Sequence, residues 1–179
     1  MRPLVRAIDQ ISRACGAVGA VLVLVLVVLM VYDAVMRYAF SAPTIWAFEV
    51  STYLMGALFV LAIGYALERD AHVRVDLMYD WIPRRVLTVV DLIGFAALLL
   101  PILVLITHGC WEYFLEAYKS GERSGGSAWN PKVWPFRLVL FVGFTAFTLQ
   151  VVAEIVKRIA RLLGRPIGSV DAPAHDLPT

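Results

Sequence analysis

The chain has 179 residues, of which 60% are apolar, 12% aromatic and only 17% charged, and its mean hydropathy is +0.76. Soluble domains carry about 45–50% apolar and about 25% charged residues, so this composition excludes an ordinary water-soluble protein. Sixteen basic residues against fourteen acidic ones leave a net charge of +2, too small for a nucleic-acid-binding surface, and two cysteines build no disulfide scaffold. At this length a single-domain integral membrane protein remains.

Charge-free windows locate the spans in chain order. Arg2, Arg6 and Arg13 precede a run of nineteen uncharged residues from Ala14 to Tyr32. The apolar core of a cleavable signal is roughly 7–15 residues long, so this longer run reads as an uncleaved span. Val50–Leu67 gives eighteen residues and Leu92–Trp111 twenty. Leu138–Ala153 gives sixteen, extended by Trp134–Phe136 ahead of Arg137 and by Ile155 and Val156 after Glu154. About 20 apolar residues cross a bilayer as a helix, and lipid offers no water to satisfy a non-helical backbone. The expectation is an all-α membrane protein of four transmembrane helices, at about 14–32, 50–67, 88–111 and 134–156. They form one membrane domain over residues 1–165, and 166–179 is a disordered tail of Pro, Ala and Asp character.

Lys and Arg in the connecting segments set the orientation. The N-terminus, the 68–85 loop and the tail together hold eleven of them, while the 33–49 and 112–137 loops hold five. Both termini are therefore expected in the cytoplasm, which makes the 166–179 tail cytoplasmic as well. Tyr32, Tyr38, Trp46, Trp111, Tyr113, Trp129 and Trp134 bracket the outer loops, and Tyr79 and Trp81 flank the inner one, as aromatic belts require.

Three stretches beyond the spans keep helical apolar spacing: Leu4, Ile8, Ile11 and Cys15; Trp111, Phe114, Leu115 and Tyr118; and Ile155, Ile159 and Leu162 against Lys157, Arg158 and Arg161. Each reads as a short interfacial amphipathic helix or as an extension of a tilted span, with the interfacial reading preferred for the first. Gly121–Asn130 has turn composition, and Pro131 and Pro135 punctuate the start of the fourth span.

Residues for catalysis or redox chemistry are sparse. His72, His108 and His175 share no depth, which opposes paired haem ligation. Cys15 and Cys110 fall at opposite ends of their spans, outside bridging geometry. Nucleotide-binding and zinc-protease motifs do not occur. No cofactor and no enzymatic activity are expected. Within the spans Asp91 is the one candidate ion or proton site, but its near-end position close to Arg84 and Arg85 favours a carboxylate reaching the inner interface or a neighbouring helix's arginine. Asp33 and Arg37 stand four apart and suit an ion pair on a helical extension. Glu49 begins the second span on the same side, and charges alternate with small apolar residues through Glu68–Asp76.

The run Arg37-Tyr38-x-Phe40, then Pro43, Trp46 and Glu49, a long apolar span, His72-Val73-x-Val75-Asp76, Pro83 ahead of span three and Trp134-Pro135 at span four resembles the small membrane subunit (DctQ-like) of the tripartite ATP-independent periplasmic, or TRAP, transporters. The resemblance covers roughly residues 10–160, and the tail and the Gly/Ser stretch of the second outer loop match poorly. It implies a non-catalytic subunit of the bacterial inner membrane. Such a subunit scaffolds a large sodium-coupled permease for uptake of a small organic acid or related solute delivered by a periplasmic binding protein. The large permease, the binding protein and membrane lipids are the implied partners, with no nucleic acid among them. On this reading Arg37, Trp46 and Glu49 fix outer helix ends against each other or the large subunit, and His72, Arg74 and Asp76 organise the inner loop or form a self-contained turn. Gly16 with Ala20, or Ala62 with Ala66, offers close-packing surfaces. The alternatives are an autonomous oligomeric exporter, resting on Asp91, or a membrane assembly or anchoring protein.

Overall fold

A computed structural model of the chain describes residues 2–69 and 84–163. Helix α1 (Arg2–Ala39) leads to α2 (Ala47–Glu68), α3 (Arg84–Ile93), a π-helical segment (Gly94–Leu99), α4 (Leu100–Ser120) and α5 (Trp134–Leu162). Four of these runs are long and apolar enough to cross a membrane: Pro3–Ala39, Ala47–Glu68, Val89–Ser120 and Trp134–Ala160. Among the described residues no strand forms; an isolated bridge between Arg123 and Lys132 closes the α4–α5 loop.

The three amphipathic stretches are continuous with the spans. With 38 residues, α1 is about 57 Å long at 1.5 Å per residue, against about 30 Å of hydrocarbon. Both of its ends therefore project past the lipid core as one helix. The third span is interrupted instead. Pro101 has no N–H to donate to the carbonyl of Ala97, and its ring crowds that carbonyl. The helix widens just ahead of it, and the Leu100 N–H reaches back five residues to the Phe95 carbonyl.

The termini of the helices follow local chemistry. Gly121, at φ +65, caps α4 in the left-handed conformation that glycine adopts without steric cost. At the end of α1, Ser41 turns the chain at φ +51, the Ala42 N–H donates to the Met36 carbonyl at 3.0 Å, and the Thr44 hydroxyl donates to Asp33. Pro135 occupies the first turn of α5, where its missing N–H leaves no vacancy in the helix.

Small residues set the helix spacing. A Cβ on Gly143 of α5 would lie 3.2 Å from the Val60 backbone of α2, and one on Gly16 of α1 would lie 2.6 Å from the Tyr65 ring. Gly19, facing Leu58 and Ala62, completes the α1–α2 seam. Of the close-packing surfaces expected from sequence, Gly16 and Ala62 lie in this seam, whereas Ala20 is exposed and Gly19 takes its place. Lipid tails are as apolar as leucine, so close backbone approach rather than apolar burial drives such packing. Leu67, Leu103, Phe147 and Val151 form the largest core cluster, supported by Phe95 and Leu99. Outside it the apolar surface is open: Leu24 is 67% and Val28 69% exposed on α1.

Candidate functional site

Two polar clusters sit at opposite ends of α5 in an otherwise apolar bundle. At the end where α1 begins and α5 finishes, Gln150, Glu154, Lys157 and Arg158 fall on one face of α5 and are buried. The Lys157 ammonium donates to Asp9 Oδ1 of α1 at 2.7 Å and to Glu154 Oε1 at 2.9 Å. Arg158 donates to Glu154 Oε2 at 2.9 Å, its guanidinium lies 4.2 Å from the centre of the Phe95 ring, and its Nε is 3.8 Å from Asp91. The Gln150 amide donates to Asp9 at 3.0 Å and its oxygen accepts from the buried Ser12 hydroxyl at 2.8 Å. Beside this network Arg13 of α1 forks onto Glu68 of α2 at 2.7 and 3.1 Å. Cation and carboxylate are thus matched inside the bundle, and the network ties α1 and α5 to the third span.

The sequence reading placed Lys157 and Arg158 on an outward polar face opposite Ile155, Ile159 and Leu162. The structure reverses that face: Lys157 and Arg158 are buried, and Ile159 and Leu162 are about two-fifths exposed. In lipid an ionisable side chain turns towards the bundle and its partners, whereas in water it would turn out. The signal lay in the spacing of Gln150, Glu154, Lys157 and Arg158, at helical intervals on one stripe. Asp91 reaches a neighbouring arginine, the less functional of its two readings.

At the other end, the loop between α4 and α5 folds over the start of α2. Its register is held by Ser124 N–H to the Pro131 carbonyl at 3.0 Å and Val133 N–H to the Glu122 carbonyl at 3.2 Å. Arg137, buried, donates to Glu122 at 2.6 Å and to the Tyr113 carbonyl at 3.1 Å, and its guanidinium stacks 3.4 Å over the Tyr113 ring. Glu49, also buried, accepts a 2.6 Å bond from the Ser124 hydroxyl on one oxygen. Its other oxygen has no partner among the described residues. Phe136 stacks on Tyr53 at 4.8 Å, and the whole encloses a cleft of about 340 Å³.

The site residues expected from sequence separate accordingly. Arg37 pairs with Asp33 at 2.8 Å on α1 and remains half exposed. Trp46 stacks on Tyr32, 6.2 Å between ring centres, at the α1–α2 corner. Glu49 belongs to the loop cleft instead. His72, Arg74 and Asp76 lie outside the described residues. Sequence reasoning missed the Arg137–Glu122–Tyr113 and Glu49–Ser124 links, because the turn-like composition of 121–130 carried no sign that it folds back onto α2. Among the described residues no three His, Cys, Asp or Glu side chains converge as metal ligands.

Four apolar helices joined by internal ion pairs define a multi-pass membrane protein. Residues 26–161 match the family described as tripartite ATP-independent periplasmic transporters, DctQ component. The match spans most of the chain, which belongs to that family and is thus a small permease component of a TRAP transporter. It is a transporter component family and not a catalytic one. Neither the curated proteins nor the solved structures yielded a match.

Proposed function

We propose that this chain is the non-catalytic scaffold of its transporter. It packs beside a large sodium-coupled permease subunit in the bacterial inner membrane, with both termini cytoplasmic. The complex takes up a small organic acid or related solute handed over by a periplasmic binding protein. Residues 1–165 act as one membrane domain, and 166–179 as its cytoplasmic tail. The supporting observation is the contrast between inside and outside. Among the described residues Asp9, Glu154, Lys157 and Arg158 meet opposite charges inside the bundle, whereas apolar faces of α1 and the third span lie open to a neighbour or to lipid.

In this reading the corner made by Arg37 with Asp33 and Trp46 with Tyr32, together with Glu49 under the long loop, fixes helix ends so that the bundle resists tilt while a neighbour moves. His72, Arg74 and Asp76 are proposed to organise the opposite loop. An autonomous exporter would rest on Asp91, which lies against Arg158 rather than alone, and is the weaker reading.

Co-expression with the large permease, tagged on this chain, tests the proposal. Stable co-purification, with solute uptake by reconstituted vesicles that needs the permease and the binding protein, is the expected result. Uptake or efflux by this chain alone overturns it. Reporter fusions at the C-terminus check the orientation, and an external signal reverses that part.

A further inference from the structure

The one orphaned group in the loop cleft is a strong clue to an occupant. Glu49 is 6% exposed, its Oε1 is satisfied by Ser124, and its Oε2 is buried with no partner among the described residues. A buried carboxylate oxygen left without a donor is costly, and a carboxylate only accepts. Whatever fills the cleft must therefore bring an N–H or O–H, preferably on a cation. The other charges nearby are committed: Glu122 and Arg137 neutralise each other. Arg123, which also lines the cleft, is exposed and gives one guanidinium N–H to the Asn130 carbonyl at 2.9 Å, keeping the rest of its donors. The cleft thus offers one acceptor anion and one donor cation.

Its position supplies the second half of the argument. The cleft lies where α2 and α5 begin and α4 ends, lined by Tyr53 and Tyr113, a residue type that settles at head-group depth. From it an exposed stripe descends α2 at helical spacing through Phe48, Thr52, Met55 and Phe59, with Phe48 76% and Phe59 61% exposed. A zwitterionic head group above and an acyl chain below match this layout.

We propose that the cleft is the head-group site of an ethanolamine phospholipid, whose primary ammonium donates to Glu49 Oε2, whose phosphate is held by Arg123, and whose acyl chain lies along Phe48, Met55 and Phe59. The site is independent of the scaffold reading, since it rests on this chain alone.

Native mass spectrometry of the full chain in mild detergent tests it, with ethanolamine, N,N-dimethylethanolamine and choline phospholipids of identical acyl chains. The dimethyl form keeps one N–H and the choline form none. Retention should survive dimethylation and fall about tenfold at choline, the scale of one hydrogen bond to a charged group. Glu49→Gln, whose amide oxygen still accepts from Ser124, should abolish the preference. Arg123→Gln should weaken both lipids while leaving their ratio unchanged. Equal retention of ethanolamine and choline lipids by the wild-type chain hands the cleft to a protein side chain and overturns the proposal. So does an undiminished preference in Glu49→Gln. Displacement by soluble glycerophosphoethanolamine at the concentration of the lipid excludes the acyl stripe and with it a lipid as the occupant. If Glu49→Gln does not fold, the methylation series on the wild-type chain decides by itself.

Discussion

Arg37 and Glu154 each stand four residues from an oppositely charged partner on their own helix, yet meet opposite conditions. The Arg37–Asp33 side chains are 52% and 19% exposed; those of Glu154 and Arg158 are 3% and 2% exposed. Exposed pairs contribute about 0–1 kcal/mol because water screens the attraction and the side chains lose entropy. Removing one member of a buried pair leaves a charge without compensation and costs about 3–5 kcal/mol. Arg37→Ala is therefore expected to leave thermal unfolding in detergent nearly unchanged, whereas Glu154→Ala should lower the midpoint sharply, with Lys157 left to Asp9 alone and Arg158 to a more distant Asp91. Near-equal midpoints would show that water reaches the inner cluster. The local pair was readable from its i, i+4 spacing. The long-range one was not, since Lys157 and Asp9 lie 148 positions apart and nothing in either segment names the other.

At the level of elements, the helices follow from apolar windows and their ends from Gly, Ser and Pro, but their spacing is a matter of fit. Gly143 admits the backbone of α2 at Val60. Gly143→Val would force α2 and α5 apart, and an overpacked contact of this kind costs about 1–3 kcal/mol. The expected result is a lower unfolding midpoint, with Gly109→Val, where a Cβ meets nothing within 4 Å, as the control that stays closer to wild type. The π-helical segment shows the same limit in reverse. Pro101 removes one N–H from the ladder, and the chain answered by widening the helix ahead of it. That placed Phe95 under the Arg158 guanidinium, a contact between two elements that neither sequence window contains.

For the whole molecule, the arrangement predicts which side chains meet across the bundle. Thr107 in the third span and Thr148 in α5 share a hydrogen bond with 3.0 Å between their oxygens. In a background with Cys15 and Cys110 replaced by Ser, Thr107→Cys with Thr148→Cys should oxidise to an intramolecular disulfide in membranes, read as a faster-migrating band that reduction removes. Sulfurs in these positions fall within bridging reach. Absence of the band under mild oxidation would contradict the pairing of the third span with α5. Such coherence of the isolated chain is what a scaffold needs, since its open apolar faces on α1 and the third span must keep one shape to fit a partner or the lipid.

Composition and the positions of the charges determined by themselves that this is a four-helix membrane protein. An apolar run of sufficient length has no other stable form in a medium without hydrogen-bonding solvent. The order of residues around the helix ends, from Arg37 to Trp134, carried the resemblance to its family. Only the tertiary structure decided which way the charged stripe of α5 faces, that the Gly/Ser-bearing loop closes over Glu49, and that one carboxylate oxygen there stays unpaired. These depend on partners far away in sequence. In lipid a buried charge is placed by what it meets across the bundle rather than by its immediate neighbours in the chain.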